Sequence, residues 1–268
     1  MDYSKYQYLK IDVDAEGICT VTMNRPEAMN AAGGPMHPEL ERIWLDINED
    51  PSVKAVILTG AGRAFSAGGD LKGMAQRVGT PENIKHGLEA PARTRRLWQN
   101  MLELQPPLIA AINGDAMGLG CTLALFCDIT VISKTARIGD THVKVGLVAG
   151  DGGAVIVPLL VGVAKARDLL MRGRVLNGQE AHDIGLVSHV REAEQVMEEA
   201  RAIALELSLL PKYAVAWTKL SVNKAVKERL NMVIDASMAF EMLTMNSGDH
   251  AEAVKAFVEK RKPSFKGD

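Results

Sequence analysis

The stretch AFSAGGDLK at residues 64–72 follows a short β-branched run, AVILT at residues 55–59. A second stretch, NGDAMGLGC at residues 113–121, follows another apolar run, LIAAI at residues 108–112. Each pattern predicts a buried strand, then a glycine-rich turn, then a helix. Glycine lets a ligand approach the backbone closely, and the helix that follows begins with unpaired N–H groups. Two such turns facing one point would stabilise a developing oxyanion, although the same glycines could serve only tight turns.

Strands and helices alternate on both sides of these turns. Tyr8–Asp14 and Ile18–Met23 flank a short turn and read as a hairpin, Met36–Ile47 has its apolar residues at helical spacing, and Ile129–Ile132 reads as a further strand. The strands are too apolar to expose one face to water. The pattern therefore predicts an α/β fold in which helices cover the strands.

The chain changes character at about Glu192, beyond which only helical patterns occur. We predict helices over Ala193–Leu209, Tyr213–Val226, Leu230–Met245 and Asp249–Glu259. These helices cannot bury all of their apolar faces alone, so we expect them to pack on the core and on another subunit. The chain is accordingly divided into a core at residues 1–192, which holds the ligand site, and a helical region at residues 193–268.

Composition narrows the class of protein. The 268 residues carry a formal net charge of −2, which argues against binding to nucleic acid or to an anionic membrane surface. No apolar run reaches the length of a membrane span, and no signal peptide is visible. Three cysteines without CxxC spacing fit a reducing, cytoplasmic setting. The six histidines show no HxH or HExxH spacing, so no metal site is expected.

Four motifs in series carry a resemblance. NRPEAMNA at residues 24–31 is similar to NRPxxxNA, and residues 64–72 are similar to AFxAGxDL. Residues 113–121 are similar to an NGxAxGxG turn, with Cys127-Asp128 matching a later CD. The tail, DHAEA at residues 249–253 and AFVEKRKP at residues 256–263, is similar to DxxEAxxAFxEKRxP. In this order the motifs resemble those of the enoyl-CoA hydratase/isomerase (crotonase) superfamily over nearly the whole chain.

The resemblance implies a spiral of ββα units and C-terminal helices that build a homotrimer or a dimer of trimers. It implies an acyl-CoA substrate, with coenzyme A as part of that substrate and no separate cofactor. The backbone N–H groups of Gly69 and Leu119 would form the oxyanion hole. The residues expected to contact the substrate are Ala28, Ala67, Gly68, Asp70, Leu71, Gly118 and Thr122.

The sequence departs from the family at its acid and base. Hydratases of this family use two glutamates, and Thr122 and His142 stand at those two positions. His142 could act as the base, since an imidazole titrates near neutral pH. Asp151 is the nearest other candidate, and Asp140 could orient His142. The plainer alternatives are a structural histidine at 142, a helix N-cap at Asp151 and a pocket-shaping role for Thr122.

The exact reaction therefore stays open. Double-bond isomerisation needs only one base and survives the loss of the glutamates better than hydration does. A catalytically silent acyl-CoA-binding protein is the alternative from another class. Residues 64–68 lie one glycine short of the GxSxG elbow of serine hydrolases, and Gly118-Leu119-Gly120 weakly resembles a dinucleotide-binding turn.

Two further features lie between the glycine-rich turns. The segment Gly73–Leu97 is predicted to form a pocket wall. The basic cluster within it, Arg93, Arg95 and Arg96, reads as a solvated helix face or, alternatively, as a contact for CoA phosphates.

Overall fold

Two β-sheets lie at the centre of the computed structural model, which describes residues 1–268. The larger sheet has the spatial order β1 (Leu9–Val13), β2 (Ile18–Met23), β3 (Ala55–Gly60), β5 (Leu108–Ile112), β7 (Ile129–Ser133) and β10 (His189–Arg191). The smaller sheet has the order β4 (Ala64–Ser66), β6 (Asp115–Met117), β8 (Arg137–Gly139) and β9 (Leu176–Asn177). Only the outer pairs β1–β2 and β8–β9 are antiparallel.

Nine α-helices surround the sheets. They are α1 (His37–Asn48), α2 (Leu71–Arg77), α3 (Pro81–Glu103), α4 (Leu119–Leu125), α5 (Gly153–Arg172), α6 (Gly178–Asp183), α7 (Val196–Leu209), α8 (Lys212–Thr244) and α9 (Gly248–Val258). Short 3-10 turns occur at Pro26–Ala28, Gly34–Met36, His142–Val145 and Ala193–Gln195. None of the helices combines the length and the apolar character needed to span a bilayer.

A repeated unit organises the first two thirds of the chain. A strand of the larger sheet leads to a strand of the smaller sheet and then to a helix, in the series β3-β4-α2, β5-β6-α4 and β7-β8-α5. The hairpin of β1 and β2 precedes this series. The predicted α/β class, with its spiral of ββα units and a helical C-terminal region, is confirmed.

The core is divided between two faces of the larger sheet. One face carries the main apolar cluster, in which Trp44, Trp98 and Phe65 are fully buried. The other face is covered by α7, whose Val196 and Ala200 pack against the strands. Since α7 contributes to the core of the sheet, the helical region is joined closely to it, and the division at residue 192 stays a prediction.

The prediction of two helices at Tyr213–Val226 and Leu230–Met245 is wrong, because α8 is continuous. Residues 227–229 are Lys-Glu-Arg, which favour helix and supply no stop signal. The helix is anchored along its length to the core. Lys219 Nζ lies 2.7 Å from Asp128 Oδ2, and Asn223 Nδ2 donates to the Leu102 carbonyl oxygen at 3.0 Å.

Glycine allows the two predicted turns to meet. Gly68 has a φ of +89°, and a Cβ at this residue would collide with the Met117 carbonyl oxygen and lie 3.2 Å from the Leu119 nitrogen. Gly118, with a φ of +51°, precedes α4 directly. The backbones of the two turns therefore touch at a place where a side chain has no room.

We expect Gly68→Ala to destabilise the chain more than the matched variant Gly79→Ala. Gly79 has a similar φ of +77° but nothing within 4 Å of the added Cβ, so that variant isolates the cost of the backbone conformation, about 1–2 kcal/mol. Gly68→Ala adds a collision with backbone, worth about 1–3 kcal/mol more. Denaturant unfolding measures both losses, and equal losses would show that the contact between the turns is not tight.

Candidate active site

A cavity of about 260 Å³ opens beside the two glycine-rich turns. Residues that are far apart in the sequence form its walls. The turns contribute Gly69, Asp70 and Leu119, α2 and α3 contribute Met74, Arg77, His86 and Arg93, the loop before α5 contributes His142 and Asp151, and α8 contributes Met238, Glu241 and Met242. The predicted pocket wall at Gly73–Leu97 is confirmed by the residues of α2 and α3 in this set.

Two backbone N–H groups remain free at the edge of the cavity. Gly69 and Leu119 both line it, and neither amide donates a hydrogen bond to another group of the chain. Leu119 is the first residue of α4, so its N–H also lies at the positive end of a helix. The two amides come from the two turns that touch at Gly68, and their role as oxyanion donors stays a prediction.

His142 connects two carboxylates. Its Nδ1 lies 2.7 Å from Asp140 Oδ1, and its Nε2 lies 3.2 Å from Asp151 Oδ2. The backbone N–H of His142 also donates to Asp140 Oδ1, at 3.1 Å. Asp140 thus orients His142, an arrangement that the sequence offered only as an option because two nearby residues need not meet in space.

Charges within the trio of Asp140, His142 and Asp151 shift the pKa values of His142 and Asp140. Burial alone would lower the pKa of His142, but the charges of Asp140 and Asp151 outweigh it and raise that pKa well above its ordinary value. Burial works in the opposite direction on Asp140, yet the charge of His142 and its hydrogen bonds lower the pKa of this carboxyl. The raised pKa favours the imidazolium form of His142, whose two ring N–H groups face Asp140 and Asp151.

Glycines before α5 bring Asp151 to His142. Gly152 has a φ of +135°, and a Cβ there would lie 2.8 Å from Thr122 Cγ2 and 3.0 Å from Trp98 Nε1. Trp98 Nε1 donates to the Asp151 carbonyl oxygen at 2.6 Å. The N-cap of α5 is Gly152, without a side-chain cap, so the alternative of Asp151 as the N-cap is wrong.

Thr122 lies behind the carboxylate of Asp151. The threonine is buried within α4, and its Oγ1 lies 3.3 Å from Asp151 Oδ1 and 3.2 Å from the Gly118 carbonyl oxygen. It does not line the cavity. This position supports the pocket-shaping role given above as the alternative for Thr122, because the threonine holds the Asp151 carboxylate.

Glu241 is the site residue that the sequence analysis missed. It enters from α8, and a Cβ on Gly150 would come within 2.8 Å of Glu241 Oε2. That oxygen is buried and has no hydrogen-bond partner. Burial raises the pKa of Glu241 to about 8 against the opposing charge of His142, and the charges of Asp151 and Asp140 add to the rise. The group is therefore mostly protonated at neutral pH.

A signal for Glu241 was present in the sequence. The residues of α8 that line the cavity are Met238, Glu241 and Met242, and Met245 lines it directly after the helix, with the spacing of one helical face. A carboxyl in the middle of a methionine stripe is unusual, since glutamate is almost never fully buried without a partner. Sequence patterns alone did not indicate that this face meets the glycine-rich turns.

Several predicted substrate contacts lie outside the cavity. Ala28, Ala67, Gly68, Leu71 and Gly118 do not line it, whereas Asp70 does. The Ala67 N–H donates to the Met29 carbonyl oxygen at 2.9 Å, so the turn is joined to the segment around Ala28. A contact of these residues with the CoA portion of a substrate stays a prediction.

The structure also bears on the serine-hydrolase alternative and on the arginine cluster of α3. Ser66 ends strand β4 and is fully buried, and its Oγ donates to the Asn30 carbonyl oxygen at 2.8 Å, so the serine-hydrolase reading is wrong. Arg95 and Arg96 pair with Asp235 and Glu41 at the surface, as expected for a solvated helix face.

The Asp140, His142 and Asp151 side chains each offer a ligand atom, and these atoms lie within 4.8 Å of one another. However, each ring nitrogen of His142 already faces one of the carboxylates. Neither nitrogen points to a position shared with both carboxylates, so the arrangement is a hydrogen-bonded chain in which the donors do not converge.

The chain is similar to known proteins over nearly its whole length. The model of the family described as enoyl-CoA hydratase/isomerase matches residues 14–268. The chain is 33% identical over 261 residues to the probable enoyl-CoA hydratase echA8 of Mycobacterium leprae (strain TN), covering 97% of this chain and 98% of that protein. It is 32% identical over 253 residues to the 1,2-epoxyphenylacetyl-CoA isomerase of Escherichia coli (strain K12), covering 94% and 96%.

A solved structure shows the same fold. An enoyl-CoA hydratase/isomerase from Mycobacterium paratuberculosis matches with a TM-score of 0.88 and 31% sequence identity, over 94% of this chain and 99% of that chain. The family model, the relatives and the structure thus agree over nearly the full length of the sequence. The chain therefore belongs to the enoyl-CoA hydratase/isomerase (crotonase) superfamily and is an enzyme of that family.

Proposed function

We propose that the enzyme shifts a carbon–carbon double bond in an enoyl-CoA thioester. The observation that carries this proposal is the placement of Asp151. It lines the cavity together with the free amides of Gly69 and Leu119, and its carboxylate faces the His142 imidazolium. A carboxylate base beside two oxyanion donors is what a one-base proton transfer requires.

In this reaction Asp151 removes a proton from Cα of a 3-enoyl-CoA. The electrons of the broken C–H bond move onto the thioester oxygen, and the Gly69 and Leu119 amides stabilise that oxyanion. The electrons then return from the oxygen to form the C2–C3 double bond, while the former C3–C4 double bond accepts the proton from Asp151 at Cγ. The product is the conjugated 2-enoyl-CoA, and no net proton is gained or lost.

His142 acts through Asp151 in this scheme and is a positioning residue. Its Nε2 faces one carboxylate oxygen of Asp151 at 3.2 Å and so holds that carboxylate in place. Asp140 holds the Nδ1 side of His142, and Thr122 Oγ1 contacts the other carboxylate oxygen of Asp151. The residues at the two usual glutamate positions, Thr122 and His142, would thus serve the aspartate at residue 151.

The names of the relatives do not choose between isomerisation and hydration. The Escherichia coli relative is named an isomerase, whereas a relative in Clostridium acetobutylicum, 36% identical over 256 residues, is named a short-chain-enoyl-CoA hydratase. One observation favours hydration as the second candidate. Glu241 places a protonated carboxyl in the same cavity as Asp151, and a base paired with an acid is what the addition of water needs.

The first test follows the conjugated enoyl absorbance of CoA esters. We expect purified enzyme to raise this absorbance with a 3-enoyl-CoA and to leave it unchanged with the corresponding 2-enoyl-CoA. Loss of absorbance with the 2-enoyl-CoA, abolished by Glu241→Gln, would establish hydration instead. If esters bind and neither ester is converted, the chain is a silent acyl-CoA binder and the proposal fails.

Asp151→Asn should lower kcat for isomerisation by about 10²–10⁴-fold, the usual contribution of a general base. The variant keeps the size and hydrogen bonding of the side chain, so the affinity for a saturated acyl-CoA should change little. Asp12→Asn serves as a control, since Asp12 is an exposed carboxylate on β1 outside the cavity. Equal activity of the two variants would remove Asp151 from the base role.

The charge of His142 predicts how stability depends on pH. Its folded-state pKa is raised, so its contribution is fully present below its unfolded value of about 6.5 and is lost as pH rises through the folded pKa. The difference in free energy of unfolding between the parent and His142→Gln should narrow as the pH rises. Both proteins should carry Glu241→Gln, so that Glu241 does not titrate in the same window. A difference that does not change with pH would mean that folding leaves the pKa of His142 unshifted, and one that widens as the pH rises would mean that burial keeps His142 neutral.

We also propose that the enzyme assembles as a homotrimer or a dimer of trimers. Large apolar side chains stand exposed on α8, among them Tyr213, Trp217 and Leu243, with exposed fractions of 62%, 63% and 71%. Exposed apolar patches of this kind commonly mark subunit interfaces. Light scattering should give three or six chain masses in solution, and a monomer at micromolar concentration would contradict the proposal.

A further inference from the structure

We propose that the acyl group of the substrate carries a second negative charge, a terminal carboxylate, which Arg77 and Arg93 bind inside the cavity. The substrate class is then the CoA monothioester of a dicarboxylic acid. This inference rests on the proposed acyl-CoA function and deepens it by naming the acyl group. It starts from four side chains that we call the cationic wall: His37, Arg77, His86 and Arg93.

The cationic wall belongs to the same cavity as the proposed base. All four of its residues line that cavity together with Asp151. They come from the start of α1, the end of α2 and the first and middle parts of α3. Arg77, His86 and Arg93 lie in the segment predicted as a pocket wall, so the two arginines face the space in which an acyl group would lie.

Arg77 has no anionic partner in the chain. It forms no ion pair, and its Nε is buried without a hydrogen-bond acceptor. The nearby carboxylate of Asp70 is engaged elsewhere, since it accepts from the Gly73 N–H at 3.0 Å and lies 3.5 Å from Arg25 Nη2. Arg77 is half-buried, and a bound carboxylate would supply the acceptor that its buried Nε lacks.

Arg93 is only loosely paired. Its Nε lies 3.8 Å from Glu41 Oε2, while Arg96 contacts the other oxygen of the same carboxylate closely. Glu41 therefore serves two arginines, and the positive charge of Arg93 is incompletely balanced. The bidentate donors of arginine match the geometry of a carboxylate, which a lone ammonium does not.

The two histidines add donors without adding charge. Burial, together with the charges of Arg93 and His86, lowers the pKa of His37 to about 4. Burial and the charges of Arg77 and Arg93 likewise lower the pKa of His86. His37 Nδ1 is buried and has no partner in the chain. Neutral imidazoles can donate an N–H to an anion that the arginines hold.

Phosphate groups of CoA are the other source of negative charge for these arginines. Ala28 and Ala67, which the family resemblance places along the CoA path, do not line the cavity that the cationic wall faces. The rest of that cavity includes the methionines Met74, Met238 and Met242. An apolar chain flanked by methionines and ending at arginines fits a carboxylated acyl group better than a diphosphate.

The test measures binding of saturated esters by titration calorimetry, which does not require turnover. Succinyl-, glutaryl- and adipyl-CoA are compared with butyryl-, pentanoyl- and hexanoyl-CoA, and free CoA and dephospho-CoA are titrated in parallel. The variants are Arg77→Gln, Arg93→Gln and Arg77→Lys. Arg96→Gln is the matched control, because Arg96 also lies on α3 and pairs with Glu41 of α1 but does not line the cavity.

We expect at least one carboxylated ester to bind roughly 10- to 100-fold more tightly than its uncharged partner, the range for a charge-assisted hydrogen bond. Arg77→Gln and Arg93→Gln should each reduce this preference while leaving the affinity for uncharged esters unchanged. Arg77→Lys should retain part of the preference, and Arg96→Gln all of it.

Three results would overturn the inference. The first is the absence of any preference in the parent enzyme, and the second is a preference that survives both glutamine variants. The third is an equal loss of affinity for free CoA and for every ester in those variants, which would assign the arginines to CoA phosphates. Since the esters are saturated, each of these results is separate from a failure of the enzyme to isomerise enoyl-CoA, which would count against the proposed function alone.

Discussion

The contact between Gly68 and the Met117–Leu119 turn is the constraint on which the site depends. The two turns belong to successive ββα units, and they touch only because Gly68 has no Cβ and holds a φ of +89°. This contact places the free amides of Gly69 and Leu119 at the edge of one cavity. Every other group of the site is positioned relative to this pair, by the loop before α5 or by the helices that close over it.

Acidic groups with different surroundings lie in and behind the cavity: Asp151 and Glu241 line it, and Asp140 lies behind His142. Asp140 and Asp151 both face the His142 imidazolium, which lowers the cost of holding two carboxylates close together. Glu241 has no such partner, and burial keeps it mostly protonated at neutral pH. Groups with distinct protonation states in one cavity are the usual arrangement for proton transfer. The loss of the two family glutamates is thus accompanied by carboxyl groups from other positions.

Helix α8 connects this chemistry to the rest of the fold. Lys219 ties its first half to Asp128, the residue before β7, and Asn223 ties it to Leu102 on α3. Its second half presents Glu241 to the cavity and fixes the loop before α5, where Ser237 Oγ donates to the Gly150 carbonyl oxygen at 2.9 Å. The break near residue 227 that the sequence pattern predicts would separate these two functions. One continuous helix lets contacts with the core determine where Glu241 lies.

The sequence by itself determined the ββα series, the two glycine-rich turns and the candidates His142 and Asp151. These features are encoded locally, in hydrophobic period, glycine placement and motif order. Only the tertiary structure decided that Asp140 meets His142, that Glu241 enters from α8, and that Arg77 and Arg93 share a cavity with Asp151. Those relations join residues far apart along the chain or depend on a backbone path between close neighbours. A period or a motif specifies which face of an element is apolar, but not which distant element packs against it.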